Sequence, residues 1–201
     1  MPTLTKAVST KEQLFDSAQR LILSKGFVGT TVDDVCKAAK VTKGSFFHYF
    51  KSKDDLAKQL LERYCCDSAT QFKGACCAGT ADPLERVYGF LDSMMEMTRR
   101  NEGGCLVGSM AQELSETHPE IRLICGQAFE GMAGILEKDL KAAKAKYAPK
   151  SAAINPESLA RHFVVVLEGT LLVSKVKKGD SAKAGEGLKH YKEYLKALFQ
   201  R

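Results

Sequence analysis

Residues 31–56 of this 201-residue chain read TVDDVCKAAKVTKGSFFHYFKSKDDL, and they carry the clearest pattern in the sequence. The pattern predicts two short helices joined by a three-residue turn at residues 40–42, a layout typical of a helix-turn-helix. In the second helix, Phe46 and Phe50 are four positions apart and share one face. We expect that face to pack against the first helix.

The opposite face of the second helix carries groups that suit nucleic acid. Gly44 and His48 each lie about 160° from Phe46, at roughly 100° per residue. Glycine costs a helix about 1 kcal/mol relative to alanine, but it lets another surface come close. The neighbouring side chains that can bond phosphates or base edges are Lys43, Ser45, His48 and Tyr49. Spacing alone leaves a second interpretation open, a helical hairpin with a solvated polar face.

The excess of positive charge lies mainly in this part of the chain. Residues 1–60 hold 10 Lys and Arg against 6 Asp and Glu, which accounts for +4 of the formal charge of +6. Helix N-termini predicted at Thr31, Thr42 and Ser52 add backbone N–H groups that can bind phosphate. These observations indicate an anion-binding face, although a solvated helix surface gives the same charge count.

The remaining sequence has helical periodicity and no strand alternation. Capping signals predict helix starts near Ser9, at Asp82-Pro83 and at Asn155-Pro156, and Gly26 predicts the end of the first helix. Residues 163–167 are apolar on every face, so we expect them to be covered by the protein's own core or by another subunit. The fold class is therefore predicted to be all-α, with about nine helices.

Composition excludes several classes of protein. The chain is 44% apolar and 27% charged, as in ordinary globular proteins, and no apolar run approaches the ~18 residues of a membrane span. Residues 1–6 lack the apolar stretch of a signal peptide, so we expect a cytoplasmic protein. The seven cysteines include no C-x-x-C pair and are expected to be reduced thiols, with no metal site and no cofactor.

The stretches TVDDV at residues 31–35 and VTKGSFFHYFKSKDDL at residues 41–56 resemble the signature of the TetR family of bacterial transcriptional regulators. The resemblance implies a DNA-binding domain at residues 1–56, joined by a linking helix at residues 53–75 to an effector-binding and dimerisation domain at residues 57–201. It implies a ligand-responsive homodimeric repressor whose operator is a palindromic stretch of duplex DNA.

The resemblance also implies roles for individual residues. Thr31 and Lys53 are expected to anchor the DNA backbone, and the residues around Gly44 to face the groove. The family usually has tyrosine at position 47, where it gives a hydroxyl to phosphate, whereas this chain has Phe47. The predicted DNA-binding set is Thr31, Thr42, Lys43, Gly44, Ser45, Phe47, His48, Tyr49 and Lys53.

The sequence gives fewer indications of where an effector molecule binds. Apolar residues of the second half are candidates for a pocket that takes a small apolar or electrophilic molecule, although such residues also form ordinary core. The candidates are Phe90, Met94, Met97, Cys105, Leu106, Met110, Phe129, Met132, Phe163 and Leu167.

One local stretch points to a thiol switch. Residues 102–114, EGGCLVGSMAQEL, resemble regulators of this family that sense electrophiles such as N-ethylmaleimide, and there a cysteine at the position of Cys105 is modified. A cysteine near a helix N-terminus has a lowered pKa, which favours the reactive thiolate. The alternative is a small thiol that only packs.

An enzyme and a helical scaffold are the competing function classes. Ser109 has Val107 and Ala111 where a G-x-S-x-G elbow needs glycines, and no phosphate-binding loop or H-E-x-x-H motif occurs. Cys105 and His118 could form a nucleophile and base pair, but their spacing does not require it. We therefore expect a regulator and not an enzyme.

Overall fold

The computed structural model describes residues 9–76, 80–100, 104–148, 150, 154–176 and 185–200. These residues form nine α-helices and no strand, which confirms the all-α prediction. The helices are α1 (Thr10–Lys25), α2 (Val32–Ala39), α3 (Lys43–Tyr49), α4 (Lys53–Cys76), α5 (Pro83–Arg100), α6 (Leu106–Leu114), α7 (Pro119–Tyr147), α8 (Pro156–Val176) and α9 (Glu186–Phe199). Within the described residues, no helix combines the length and apolar character needed to cross a lipid bilayer.

Side-chain caps fix where the first four helices begin. The hydroxyls of Ser9, Thr31, Thr42 and Ser52 each accept the N–H of the residue three positions later, at 3.1–3.2 Å. Gly26 ends α1 with a φ of 82°, a conformation that favours glycine. The predicted caps and the predicted stop are therefore confirmed.

The chain divides into two compact units. The first contains the described residues up to Tyr64 together with Leu106–Arg122, and the second contains Cys65–Cys105 and the residues from Leu123 onward. The predicted boundary between functional domains at residue 56 stays a prediction, while the compact units divide after Tyr64 and include α6 in the first unit. Helix α6 packs against α1, so a segment far along the sequence joins the N-terminal helices in this unit.

An aromatic and aliphatic core holds the first unit together. Phe46 and Phe50 are both buried, as predicted, with ring centroids 5.4 Å apart. Phe50 also meets Phe15 of α1 edge-on at 5.3 Å, so α3 is fixed against α1 by its apolar face. Further buried side chains from α1, α2 and α4 complete the core, namely Leu14, Ala18, Ile22, Val35, Cys36, Ala39, Leu56, Leu60 and Leu61.

The second unit is built around α5, α7, α8 and α9. Phe90 and Phe163 pack edge-on at 5.4 Å in its core. The buried Tyr191 hydroxyl donates to the carbonyl of Leu159 at 2.6 Å, which ties α9 to α8. Burial raises the pKa of this phenol, so it stays a donor at physiological pH.

Candidate nucleic-acid interface and effector site

Helix α3 presents a polar and glycine-containing face to solvent. Its buried side is held by Phe46, while Gly44, Phe47 and His48 are exposed and Ser45 and Tyr49 are partly exposed. Phe47 is the notable member, because 56% of this large apolar side chain is exposed. The outward set predicted from the helical wheel is therefore on the surface of the unit.

Two members of the predicted DNA-binding set, Thr31 and Thr42, lie at the N-termini of α2 and α3. The Thr31 hydroxyl accepts the Asp34 N–H and the Thr31 backbone N–H donates to the Asp34 carboxylate at 3.0 Å, which together form a capping box; the hydroxyl also donates to that carboxylate at 2.8 Å. Lys25 bonds the same carboxylate at 2.7 Å, and together these bonds hold the pKa of Asp34 well below its usual range. Thr42 lies on the surface beside Ser45, with their hydroxyl oxygens 3.1 Å apart.

Lys43 is exposed and forms an ion pair with Asp33 of α2 at 2.7 Å. This carboxylate raises the pKa of the Lys43 ammonium. Exposed ion pairs contribute at most about 1 kcal/mol, so a phosphate group can compete for the ammonium.

Lys53 points inward in this structure. Its ammonium donates to the carbonyls of Phe27 and Thr30, both at 3.1 Å, and lies 4.1 Å above the Phe27 ring. The side chain thus joins the start of α4 to the turn between α1 and α2. Its predicted contact with the DNA backbone stays a prediction, and the structure gives the ammonium two internal acceptors instead.

Sequence reasoning missed Glu113 of α6. Its carboxylate accepts the backbone N–H of Phe27 at 3.0 Å and of Val28 at 2.9 Å. The partners are separated by 85 and 86 positions, so no local pattern could have revealed them.

Most of the predicted effector residues belong to the core of the second unit. Phe90, Met94, Met132, Phe163 and Leu167 are buried in one cluster. Met97 and Cys105 are partly buried against that cluster, and Phe129 is also partly exposed. Leu106 and Met110 are buried as well, but they lie in the first unit.

Cys105 has an acidic neighbour that sequence reasoning also missed. The thiol is hydrogen-bonded to the carboxyl group of Glu168 on α8. Burial raises the pKa of Glu168, and its Oε1 atom is buried with no hydrogen-bond partner among the described residues. Cys125 is more deeply buried, and desolvation raises its pKa to about 11. The residue before Cys105, Gly104, has a φ of 86°.

Known proteins are similar to this chain along most of its length. The family described as "Bacterial regulatory proteins, tetR family" matches residues 14–60, and "Tetracyclin repressor-like, C-terminal domain" matches residues 83–186. The transcriptional regulator AcuR of Cereibacter sphaeroides is 32% identical over 157 residues, covering 77% of this chain and 71% of that protein. The transcriptional repressor NemR of Escherichia coli is 25% identical over 134 residues, covering 66% of this chain and 67% of that protein.

Solved structures share the fold. The crystal structure of a regulatory protein TetR from Rhodobacter sphaeroides gives a TM-score of 0.77 at 28% identity, covering 94% of this chain and 96% of that one. The reduced form of E. coli NemR gives a TM-score of 0.75 at 23% identity, covering 94% and 97%. The chain therefore belongs to the TetR family of bacterial transcriptional regulators, and it is a DNA-binding regulator.

Proposed function

We propose that the protein is a homodimeric repressor that binds a palindromic operator through α3 and is released by a small molecule or by modification of Cys105. The observation that carries the proposal is the surface of α3. One side of α3 is anchored by the buried Phe46 and by Phe50, which follows the helix. The other side exposes Gly44 and His48 beside the basic side chain of Lys43. A helix held in this way can enter the major groove with its polar side toward base edges.

An apolar surface on α8 supports the homodimer. Val165 and Val176 are 68% and 79% exposed, and Leu172 and Val173 are also more than half exposed. Exposed apolar patches of this kind mark interaction surfaces, and regulators of this family act as dimers. We assign α8, together with α9, to the contact with a second copy. A two-fold dimer then places its two α3 helices in successive major grooves, about 34–36 Å apart.

Repression as the sign of regulation is supported by the relatives, since the E. coli protein is named a repressor. A ligand releases DNA when it binds better to a conformation that holds the operator poorly, and the release is limited by that difference in affinity. Apolar side chains around Phe90 and Phe163 are the candidates to contact an apolar effector, and the thiol of Cys105 is the candidate to react with an electrophile.

The test is fluorescence anisotropy on duplex DNA from upstream of the protein's own gene, at two salt concentrations, before and after N-ethylmaleimide. We expect tight binding that weakens linearly on a log–log salt plot, with a slope of about −0.9 per phosphate contact. Alkylation should release the DNA from the wild type but not from Cys105→Ser. Release from the substituted protein as well would reject Cys105 as the switch, and salt-independent or absent binding to every upstream duplex would reject the repressor.

A further inference from the structure

We propose that Glu113 is a positioning residue for operator binding, because it and Lys53 together clamp the turn between α1 and α2. The segment from Gly26 to Thr30 is called here the α1–α2 turn. Glu113 would connect α6 to the DNA-binding helices through this turn, beyond the contacts of the proposed function.

The clamp is made by two groups of opposite charge on one short turn. The Glu113 carboxylate accepts the N–H groups of Phe27 and Val28, at 3.0 and 2.9 Å. The Lys53 ammonium donates to the carbonyls of Phe27 and Thr30, both at 3.1 Å. Hydrogen bonds to charged groups are about twice as strong as neutral ones, so each end of the clamp outweighs an ordinary turn contact.

Within the turn, the backbone leaves little room for another arrangement. The Thr30 hydroxyl donates to the Gly26 carbonyl at 2.7 Å, and the Thr30 N–H donates to the Phe27 carbonyl at 3.1 Å. A Cβ on Gly26 would stand 2.8 Å from a Glu113 oxygen, so carboxylate and backbone fit closely. These bonds, together with those from Glu113, restrain the turn in the observed conformation.

The turn leads directly into the DNA-binding surface. Thr31, the next residue, caps α2, and α2 packs against α3. At its other side the turn is joined through Lys53 to the start of α4. A shift of the turn thus moves the N-terminus of α2, which is one of the predicted phosphate contacts.

The segment that follows α6 is also held within this unit. His118 lies 3.7 Å from the Asp54 carboxylate, and its ring meets Phe27 edge-on with centroids 6.3 Å apart. Lys58 pairs with Glu120 at 2.7 Å. The residues that follow α6 are therefore held within the unit, and the first residue of α6 directly follows Cys105 in the chain.

This arrangement gives the modification of Cys105 a route to the DNA-binding helices. A shift of α6 as a rigid helix changes where Glu113, near its C-terminal end, places its carboxylate, and the α1–α2 turn must then follow or lose two charge-assisted bonds. This step rests on the proposed function, because it takes Cys105 as the modified residue. The clamp itself does not depend on it.

The experiment compares the wild type with Glu113→Ala, Glu113→Gln and Gln112→Ala, using the duplex bound by the wild type or one it selects from a random pool. Gln112 is exposed and adjacent on α6, so it is the matched control. We expect Glu113→Ala to bind operator about 10-fold more weakly or worse, and its Phe27 and Val28 amides to exchange hydrogen about 10-fold faster. Gln112→Ala should match the wild type in both, and Glu113→Gln should be intermediate because its amide keeps one acceptor.

The response to N-ethylmaleimide separates positioning from plain stabilisation. Glu113→Ala removes the proposed connection between α6 and the α1–α2 turn. The ratio of operator affinities before and after alkylation should therefore fall toward 1 in this variant. A variant that melts earlier but keeps the wild-type ratio would overturn the coupling. If the wild type does not respond to N-ethylmaleimide, the thiol switch is rejected, but the clamp is still tested by hydrogen exchange and operator affinity. The clamp is overturned if both Glu113 variants exchange hydrogen and bind operator as the wild type does.

Discussion

Replacing Gly26 with alanine tests how closely the α1–α2 turn and Glu113 fit together. Gly26 has φ 82° and ψ 164°, a region that is essentially restricted to glycine and costs other residues about 1–3 kcal/mol. The new methyl group would also stand 2.8, 3.0 and 3.2 Å from Glu113 Oε1, Oε2 and Cδ. Since real contacts are not that short, the carboxylate at the end of the Glu113 side chain must shift, and the shift weakens its bonds to the two N–H groups.

The expected magnitude is the sum of these two effects. The backbone costs about 2 kcal/mol, and displacement of the carboxylate costs about 1.5–3 kcal/mol, the usual range for a hydrogen bond to a charged group. We therefore expect Gly26→Ala to lower the free energy of unfolding by about 3–5 kcal/mol. In a Glu113→Ala background only the backbone part remains, so the same change should cost about 2 kcal/mol.

The assay is a double-mutant cycle of Gly26→Ala and Glu113→Ala. Urea unfolding followed by far-UV circular dichroism gives the four free energies, at one fixed protein concentration because dimer stability depends on it. The two changes should be sub-additive by about 1.5 kcal/mol or more. Strict additivity would refute the close contact between Gly26 and Glu113, even if each variant is destabilised alone.

Three further predictions concern the DNA-binding surface and the second unit. Phe47→Tyr adds a hydroxyl that can reach phosphate, so operator affinity measured by anisotropy should rise about 3-fold to 10-fold, whereas an unchanged affinity would show that the ring does not face the backbone. Burial raises the pKa of Glu168, so the wild type loses stability as pH rises toward and through that pKa. Glu168→Gln should therefore melt a few degrees higher than the wild type, and the difference in melting temperature should widen from pH 5 to pH 8. A difference that does not change with pH would contradict this prediction. With a pKa of about 11, Cys125 should resist N-ethylmaleimide at pH 7 while exposed Cys66 reacts, as peptide mass spectrometry can follow, and early labelling of Cys125 would contradict its burial.

Local chemistry made much of the first unit predictable from sequence. Ser9, Thr31 and Thr42 cap helices within three residues of themselves, and Gly26 stops α1 through its own backbone conformation. The four-residue spacing of Phe46 and Phe50 was enough to orient α3, because burial of one face settles the other. Such signals act over a single helical turn, so they can be read from the chain directly.

The contacts that could not be predicted join residues far apart in sequence. Glu113 reaches Phe27 across 86 positions, and Lys53 reaches it across 26. The sequence shows only an acidic residue on one helix and a lysine at the start of another, and both are ordinary on solvent-facing surfaces. The same holds for Glu168, whose neighbour Cys105 comes from a different part of the chain.

The division of the chain has a consequence for exchanging parts between relatives. The chain leaves the first unit after Tyr64, re-enters it at Leu106 and leaves again after Arg122. A chimaera made by a single crossover near residue 64 would therefore take the N-terminal DNA-binding helices from one parent, the donor, and α6 from the other, the recipient. If Glu113 positions the turn as proposed, such a hybrid would bind the donor's operator only when the recipient's equivalent of Glu113 fits the donor's α1–α2 turn. A graft intended to change operator specificity should therefore carry residues 106–122 together with the N-terminal residues.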